Sequence, residues 1–255
     1  CRHVVITGGN HDSPALLEAP REILKALNIR VVGSAQDNVE NEVIVLYDES
    51  GDPEAIICAV PYLRDKDVRT TGAGENADEK QRNLLTGISN HYNEVKARAK
   101  ETMTKSGKVV PLIGMGHLFT RNALTNEGDG VRELYIGTIA HVDGNSISEG
   151  FDYLALGHLH QPQKVVGSDI ISYSGSPVKM GFNESDAKKV LVADFNSPGI
   201  GVTEHDVPVF SRLQGIRGNL TEITEKLEEL LAEEAEIWLE IELTAYVPAV
   251  VLKTR

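Results

Sequence analysis

Cysteine is nearly absent: Cys1 and Cys58 are the two in the chain. Two thiols cannot build a disulfide framework, and Cys58 lies in the apolar run Ile56-Ile57-Cys58-Ala59-Val60. A buried, reduced thiol and a cytoplasmic setting are therefore expected. Long hydrophobic runs are missing too. No stretch of about eighteen apolar residues occurs, which argues against a helical membrane span. The opening, Cys-Arg-His-Val-Val-Ile-Thr-Gly-Gly, has neither an initiator Met nor a basic-then-apolar leader. It reads as a strand entered abruptly. Basic residues are in deficit: 25 Lys and Arg face 38 Asp and Glu, for a formal charge of -13. That balance argues against a uniformly basic nucleic-acid binder, because phosphate is drawn by positive potential. The acid is concentrated, however. Glu222 to Glu242 holds nine glutamates and one lysine, as a solvated helix and an acidic edge would. DNA binding through metals and small basic patches stays open.

What is present is ordinary for a globular protein: 41% hydrophobic and 25% charged residues. A chain of 255 residues holds one large domain or two smaller ones. Strand and helix patterns alternate, which predicts an α/β layered architecture. A strand over His3–Thr7 ends at Gly8-Gly9. Ser13-Pro14 then opens a helix to about Leu27, with Leu16, Leu17, Ile23, Leu24 and Leu27 on one face. Strands follow at Arg30–Val32, Glu42–Tyr47 and Ala55–Val60, then a polar loop from Pro61 to Asp78. Arg64, Lys66, Arg69, Lys80 and Arg82 bracket that loop and read first as a solvated basic surface, second as DNA-phosphate contacts. The next helix spans about Asp78–Ser106, with a stripe from Leu84 to Met103, His91 on its exposed side and Gly107 as its stop. Further strands are expected at Val109–Ile113, Glu133–Ile136, Tyr153–Leu156, Ile170–Ser172 and Lys189–Asp194, with a polar loop at Asn122–Val131. After about Ile200 the pattern becomes a strand over Thr203–Val209 and a helix over Leu220–Ala235 with Leu220, Ile223, Leu227, Leu230 and Leu231 inward. A strand over Ile237–Leu243 completes what reads as a small second domain.

Three segments share one design. An apolar strand stops, glycine follows, and His or Asn sits at the tip: Gly9-Asn10-His11-Asp12, Gly116-His117 and Gly157-His158-Leu159-His160. Loops at one end of adjacent strands converge, and ligand sites are built there. Asn10, His117, His158 and His160 are thus candidate metal ligands, a mixed N/O set that suits Mn, Fe or Zn. Two imidazoles two residues apart on an extended chain point oppositely unless the backbone turns. That pair therefore either straddles one site or serves two metals. His3, His91, His141 and His205 carry no such case; His141 reads as a core histidine.

In order, these segments resemble the last three motifs of the calcineurin-like metallophosphoesterases. Thr7-Gly8-Gly9-Asn10-His11-Asp12-Ser13, Tyr153 to Gln163 and Tyr173-Ser174-Gly175-Ser176-Pro177 are similar to the SbcD-type exonuclease subunit family. The resemblance implies a metallophosphoesterase β-sandwich flanked by helices over residues 1–196, and a small α+β DNA-capping domain over 197–255. It implies two divalent metal ions, Mn foremost: Asn10, His117 and His158 on one, His160 on the other. His11 would be the catalytic histidine, with Asp12 orienting it; Ser174 and Ser176 are possible substrate contacts. DNA, an SbcC-like ATPase and a second copy of the chain are the implied partners, and the helix over Pro14–Leu27 would join the two copies through an apolar, solvent-facing stripe. The expected activity is exo- and endonucleolytic processing of DNA double-strand breaks and hairpins. The family's earlier motifs, Asp-x-His and Gly-Asp-x-x-Asp, do not occur here, so an incomplete N-terminal part, with the opening strands missing, is expected. A second departure is at Ala245-Tyr246, where the family has a helix and Val247–Leu252 follows instead. Two alternatives remain: a phosphoesterase acting on a nucleotide or other small phosphoester, and a non-catalytic DNA-binding module whose metal site has decayed.

Overall fold

The structure, a computed structural model, describes residues 2–68, 74–120, 123, 142–197, 199–233 and 236–244. The expected strand over Glu133–Ile136, the loop over Asn122–Val131, and His141, Arg69 and Val247–Leu252 lie outside the described residues.

A six-stranded mixed sheet forms the frame. Its strands are β3 (Val43–Tyr47), β4 (Pro53–Ala59), β5 (Leu112–His117), β6 (Tyr153–Gly157), β7 (Gln163–Lys164) and β8 (Ile171–Tyr173), in the order β3-β4-β5-β6-β8-β7. β4, β5, β6 and β8 run parallel, and β3 and β7 close the edges antiparallel. Side chains alternate across a strand, so a run buried on both faces needs no polar partner. β4 shows the division: Ile56, Cys58 and Val60 enter one core, while Ile57 and Ala59 enter another.

The first core is sealed by a long helix, α4 (Ala77–Ser106), through Ile88, Tyr92, Val95 and Ala99. A capping box closes its start, where Asn76 Oδ1 accepts from Glu79 N and Glu79 answers Asn76 N. Its end is Gly107 at φ 68°. The second core lies against a parallel pair, β1 (Val4–Thr7) and β2 (Ile29–Val32), through Val5 and Val32. The layered α/β arrangement read from the sequence is therefore present, with sheet between helix and strand pair.

Several elements differ from expectation. The helix over Pro14–Leu27 is two helices, α1 (Pro14–Glu18) and α2 (Arg21–Ala26). Pro20 separates them because it lacks the N–H that a continuous helix would need there. The strand expected at Val109–Ile113 starts after Pro111 and runs on to His117. The loop after Pro61 contains a one-turn helix, α3 (Asp65–Val68), and Gly144–Ser148 forms α5. His91 is not on an exposed side. Its Nε2 is 2.8 Å from Glu42 Oε2, and the Glu42 side chain is fully buried. A buried carboxylate needs partners, and His91 and Gln36 N supply them.

Beyond the frame, β9 (Lys189–Ser197) and β10 (Gly199–Asp206) form an antiparallel hairpin whose turn falls at residue 198. Last come β11 (Arg212–Gly218), α6 (Leu220–Leu231) and β12 (Ile237–Leu243), with β11 and β12 parallel. Ile216, Ile223 and Leu230 make their separate core. Leu220 and Leu231, expected inward, are exposed, because the buried stripe follows Ile223, Leu227 and Leu230. Among the described residues no helix is long and apolar enough to cross a membrane.

Candidate metal centre

Strand periodicity aims the central histidine. In β5, Ile113 and Met115 face the second core, so His117 leaves the strand on the side of β1 and β2. The alternate positions are glycine. A Cβ at Gly114 would meet Leu154 and Phe151, and one at Gly116 would overlap the Tyr92 hydroxyl. Two further glycines leave room for the imidazole: a Cβ at Gly9 would stand 2.7 Å from His117 Cε1, and one at Gly157 3.0 Å from its Nδ1.

Around this ring the expected residues gather. Asn10 Oδ1 is 2.8 Å from His117 Nε2, and His158 Nδ1 is 3.4 Å from the same atom. The two imidazoles stand edge to face with centroids 5.2 Å apart; Tyr62 and Phe119 present ring edges on the outside. His158 sits at φ 109°, a region L-residues rarely occupy. Such strain costs about 1–3 kcal/mol and collects at functional sites. It supplies the turn that the His158-Leu159-His160 spacing requires, sending His158 to His117 and His160 to Glu184.

Electrostatics keep the pair neutral. Burial, then repulsion from His158, pushes His117 down to about 4. Burial, with the positive potential of His160 and His11, pushes His158 down to about 4. Neutral imidazoles offer lone pairs, which metal binding requires. His158 Nε2 is buried with no hydrogen-bond partner among the described residues.

This donor set fits a metal ion. Donors at about 2.0–2.2 Å from one ion stand roughly 3 Å from one another, as Asn10 Oδ1, His117 Nε2 and His158 Nδ1 do. The chemistry is two nitrogens and an amide oxygen; among the described residues no three His, Cys, Asp or Glu side chains form such a group. His160 is not in this triangle. Its Nδ1 lies 2.8 Å from Glu184 Oε1. His11 and Asp12 are exposed at the loop tip. Asp12 Oδ2 accepts from Gly9 N at 2.7 Å and so braces its own loop; among the described residues it makes no hydrogen bond to His11. Ser174 is exposed, whereas Ser176 Oγ receives Lys188 Nζ at 2.9 Å.

Glu184 and Lys188 escaped the sequence reading. Both are almost wholly buried and joined at 2.7 Å. Burial pushes the Glu184 carboxyl up, but hydrogen bonds from Lys188, His160 and Met180 N outweigh it and hold it below its ordinary value. Their one sequence signal is the i,i+4 spacing of opposite charges. Cys58 is fully buried as expected, and burial pushes its thiol up to about 12.

No family model matches the chain. Curated relatives do. The chain is 36% identical over 246 residues to the SbcD subunit of the SbcCD nuclease of Escherichia coli (strain K12), a match covering 95% of this chain and 59% of that protein. The proteins of the same name from Rhodobacter capsulatus and Bacillus subtilis are 30% identical over 189 residues and 26% identical over 249. Those matches cover 71% and 95% of this chain, and 44% and 60% of the relatives. The chain thus spans about three-fifths of the length of the first of these relatives.

Proposed function

We propose, from kinship with the SbcD nuclease subunits along 95% of the chain, that these residues form the metal-binding phosphoesterase part of a DNA nuclease. The observation that carries it is the neutral Asn10–His117–His158 cluster at the sheet's C-terminal edge. Asn10, His117 and His158 hold one divalent ion, and His160 serves a second; Mn is the expected metal. Such ions supply a nucleophilic water and neutralise phosphate charge. The chain's own part is to orient. Asp12 fixes the loop through Gly9 N, so His11 stands at the exposed rim, where an imidazole can protonate a leaving oxygen or hold a nonbridging one. Ser174 lies exposed beside the strand end and is the better placed of the two serines for substrate contact.

The wider assignments follow the relatives. SbcCD in their name points to an SbcC-like ATPase partner, DNA as substrate, and break and hairpin processing in the cytoplasm. A homodimer is supported by Leu16, Ile23 and Leu27 on α1, α2 and the turn after them, which are 75%, 72% and 66% exposed. Leucines this bare on short helices suit a helix-to-helix interface. Residues 1–196 are the nuclease domain and 197–255 the DNA-capping domain.

The test is Mn-dependent cleavage of linear duplex DNA by the full-length protein and its His11→Ala variant. Loss of cleavage by about 10²–10⁴-fold with metal content unchanged is expected. Undiminished cleavage in the variant, or a wild type that hydrolyses only a small phosphomonoester, would overturn the reading.

A further inference from the structure

Glu184 lies between β8 and β9, 24 residues from His160, and its side chain is fully buried. One oxygen, Oε1, faces His160 Nδ1 at 2.8 Å. The other, Oε2, accepts from Lys188 Nζ at 2.7 Å and from Met180 N at 3.1 Å. Lys188 also donates to the His160 carbonyl at 3.1 Å, and that carbonyl accepts from Ser176 N at 3.1 Å. His160 is thus held at ring and backbone by one buried ion pair.

An ionised carboxylate only accepts hydrogen bonds. The proton of the neutral His160 ring must therefore sit on Nδ1, leaving the Nε2 lone pair bare. Ligand histidines are commonly held this way, the second ring nitrogen donating to a carboxylate that fixes tautomer and direction. We propose that Glu184 is a positioning residue for His160: it sets the Nδ1–H tautomer, and Lys188 locks the carboxylate and the turn that carry it. What His160 Nε2 then binds rests on the metal reading above; the tautomer does not.

A buried ion pair that merely ties the loop to the sheet would show the same contacts. Glu184→Gln separates the two. The amide has the same shape, but Lys188 Nζ and Met180 N–H are both donors and claim its oxygen. Its NH₂ must then turn to His160 Nδ1, which becomes an acceptor, and the ring proton moves to Nε2. A plain tie would leave the tautomer unmoved.

The measurement is ring-nitrogen NMR of the full-length, metal-free protein labelled with 15N-histidine at about pH 8, where imidazoles are neutral. His160 is assigned by the signal lost in His160→Gln. Nδ1–H is expected in the wild type and Nε2–H in Glu184→Gln. Manganese titration of both should show one ion per chain weakened about 10–100-fold in the variant, the other unchanged. A wild-type ring with its proton on Nε2 overturns the proposal, as does a folded variant that keeps Nδ1–H. Because the wild-type spectrum decides by itself, a variant that fails to fold leaves the test standing. A wild type that binds no manganese yet shows Nδ1–H sinks the metal reading and supports the tautomer assignment.

Discussion

Acid should loosen the metal-free protein before it touches the carboxylates. In the fold His117 and His158 titrate near about 4, against an ordinary value of 6.5. The unfolded chain therefore takes up protons between those limits and the folded chain does not, so stability falls as pH drops through 6.5 and levels off near 4. The full drop corresponds to about 3 kcal/mol for one such ring, at about 1.4 kcal/mol per pH unit. By about pH 5 roughly 2 kcal/mol of it is already lost. Each imidazolium would repel the other, so the pair together should lose about 2–4 kcal/mol rather than a simple doubling. Stopping at pH 5 keeps Glu184, whose carboxyl is held low, out of the window. Urea unfolding followed by far-UV circular dichroism, in chelator, at about pH 7.5 and about pH 5 gives the difference directly. Equal stability at the two pH values would refute the reasoning, and so would an equal loss in a His117→Gln/His158→Gln protein.

Two further outcomes test other parts of the structure. Gly116→Ala places a methyl group into the Tyr92 hydroxyl, and overpacking of this kind should cost about 1–3 kcal/mol, read as a lower urea midpoint and regained in part by Tyr92→Phe. Leu16→Glu with Ile23→Glu alters exposed positions only, so the full-length protein should keep its circular dichroism but sediment as a monomer if α1 and α2 join two copies; an unchanged sedimentation coefficient speaks against that interface.

The candidate centre was legible where local chemistry announces itself. Gly-Asn-His-Asp, Gly-His and Gly-His-Leu-His each mark a strand end, and the parallel order of β4, β5 and β6 carries the last two to one edge. The rest depends on partners far apart in sequence. Glu42 captures His91 across 49 residues, so a helix position that looked solvated is half-buried. Glu184 meets His160 only after the chain has passed through β7 and β8. β11 was missed because Gly215 and Gln214 interrupt its apolar alternation. Pro20, by contrast, was visible and underweighted: five apolar residues suggested one helix, and a missing N–H made two.

The two-sided burial of β4 also bears on how the chain misfolds. Ile56 to Val60 carries no charge and no polar side chain other than a thiol, and all five residues are buried in the native sheet. Such a segment, exposed in a nascent or partly unfolded chain, is a site for strand-to-strand aggregation. The sequence brackets it with Pro53 and Glu54 on one side and Pro61 on the other. Prolines cannot extend a ladder and a carboxylate repels its copy, so these three residues act as gatekeepers while β3 and β5 have yet to dock.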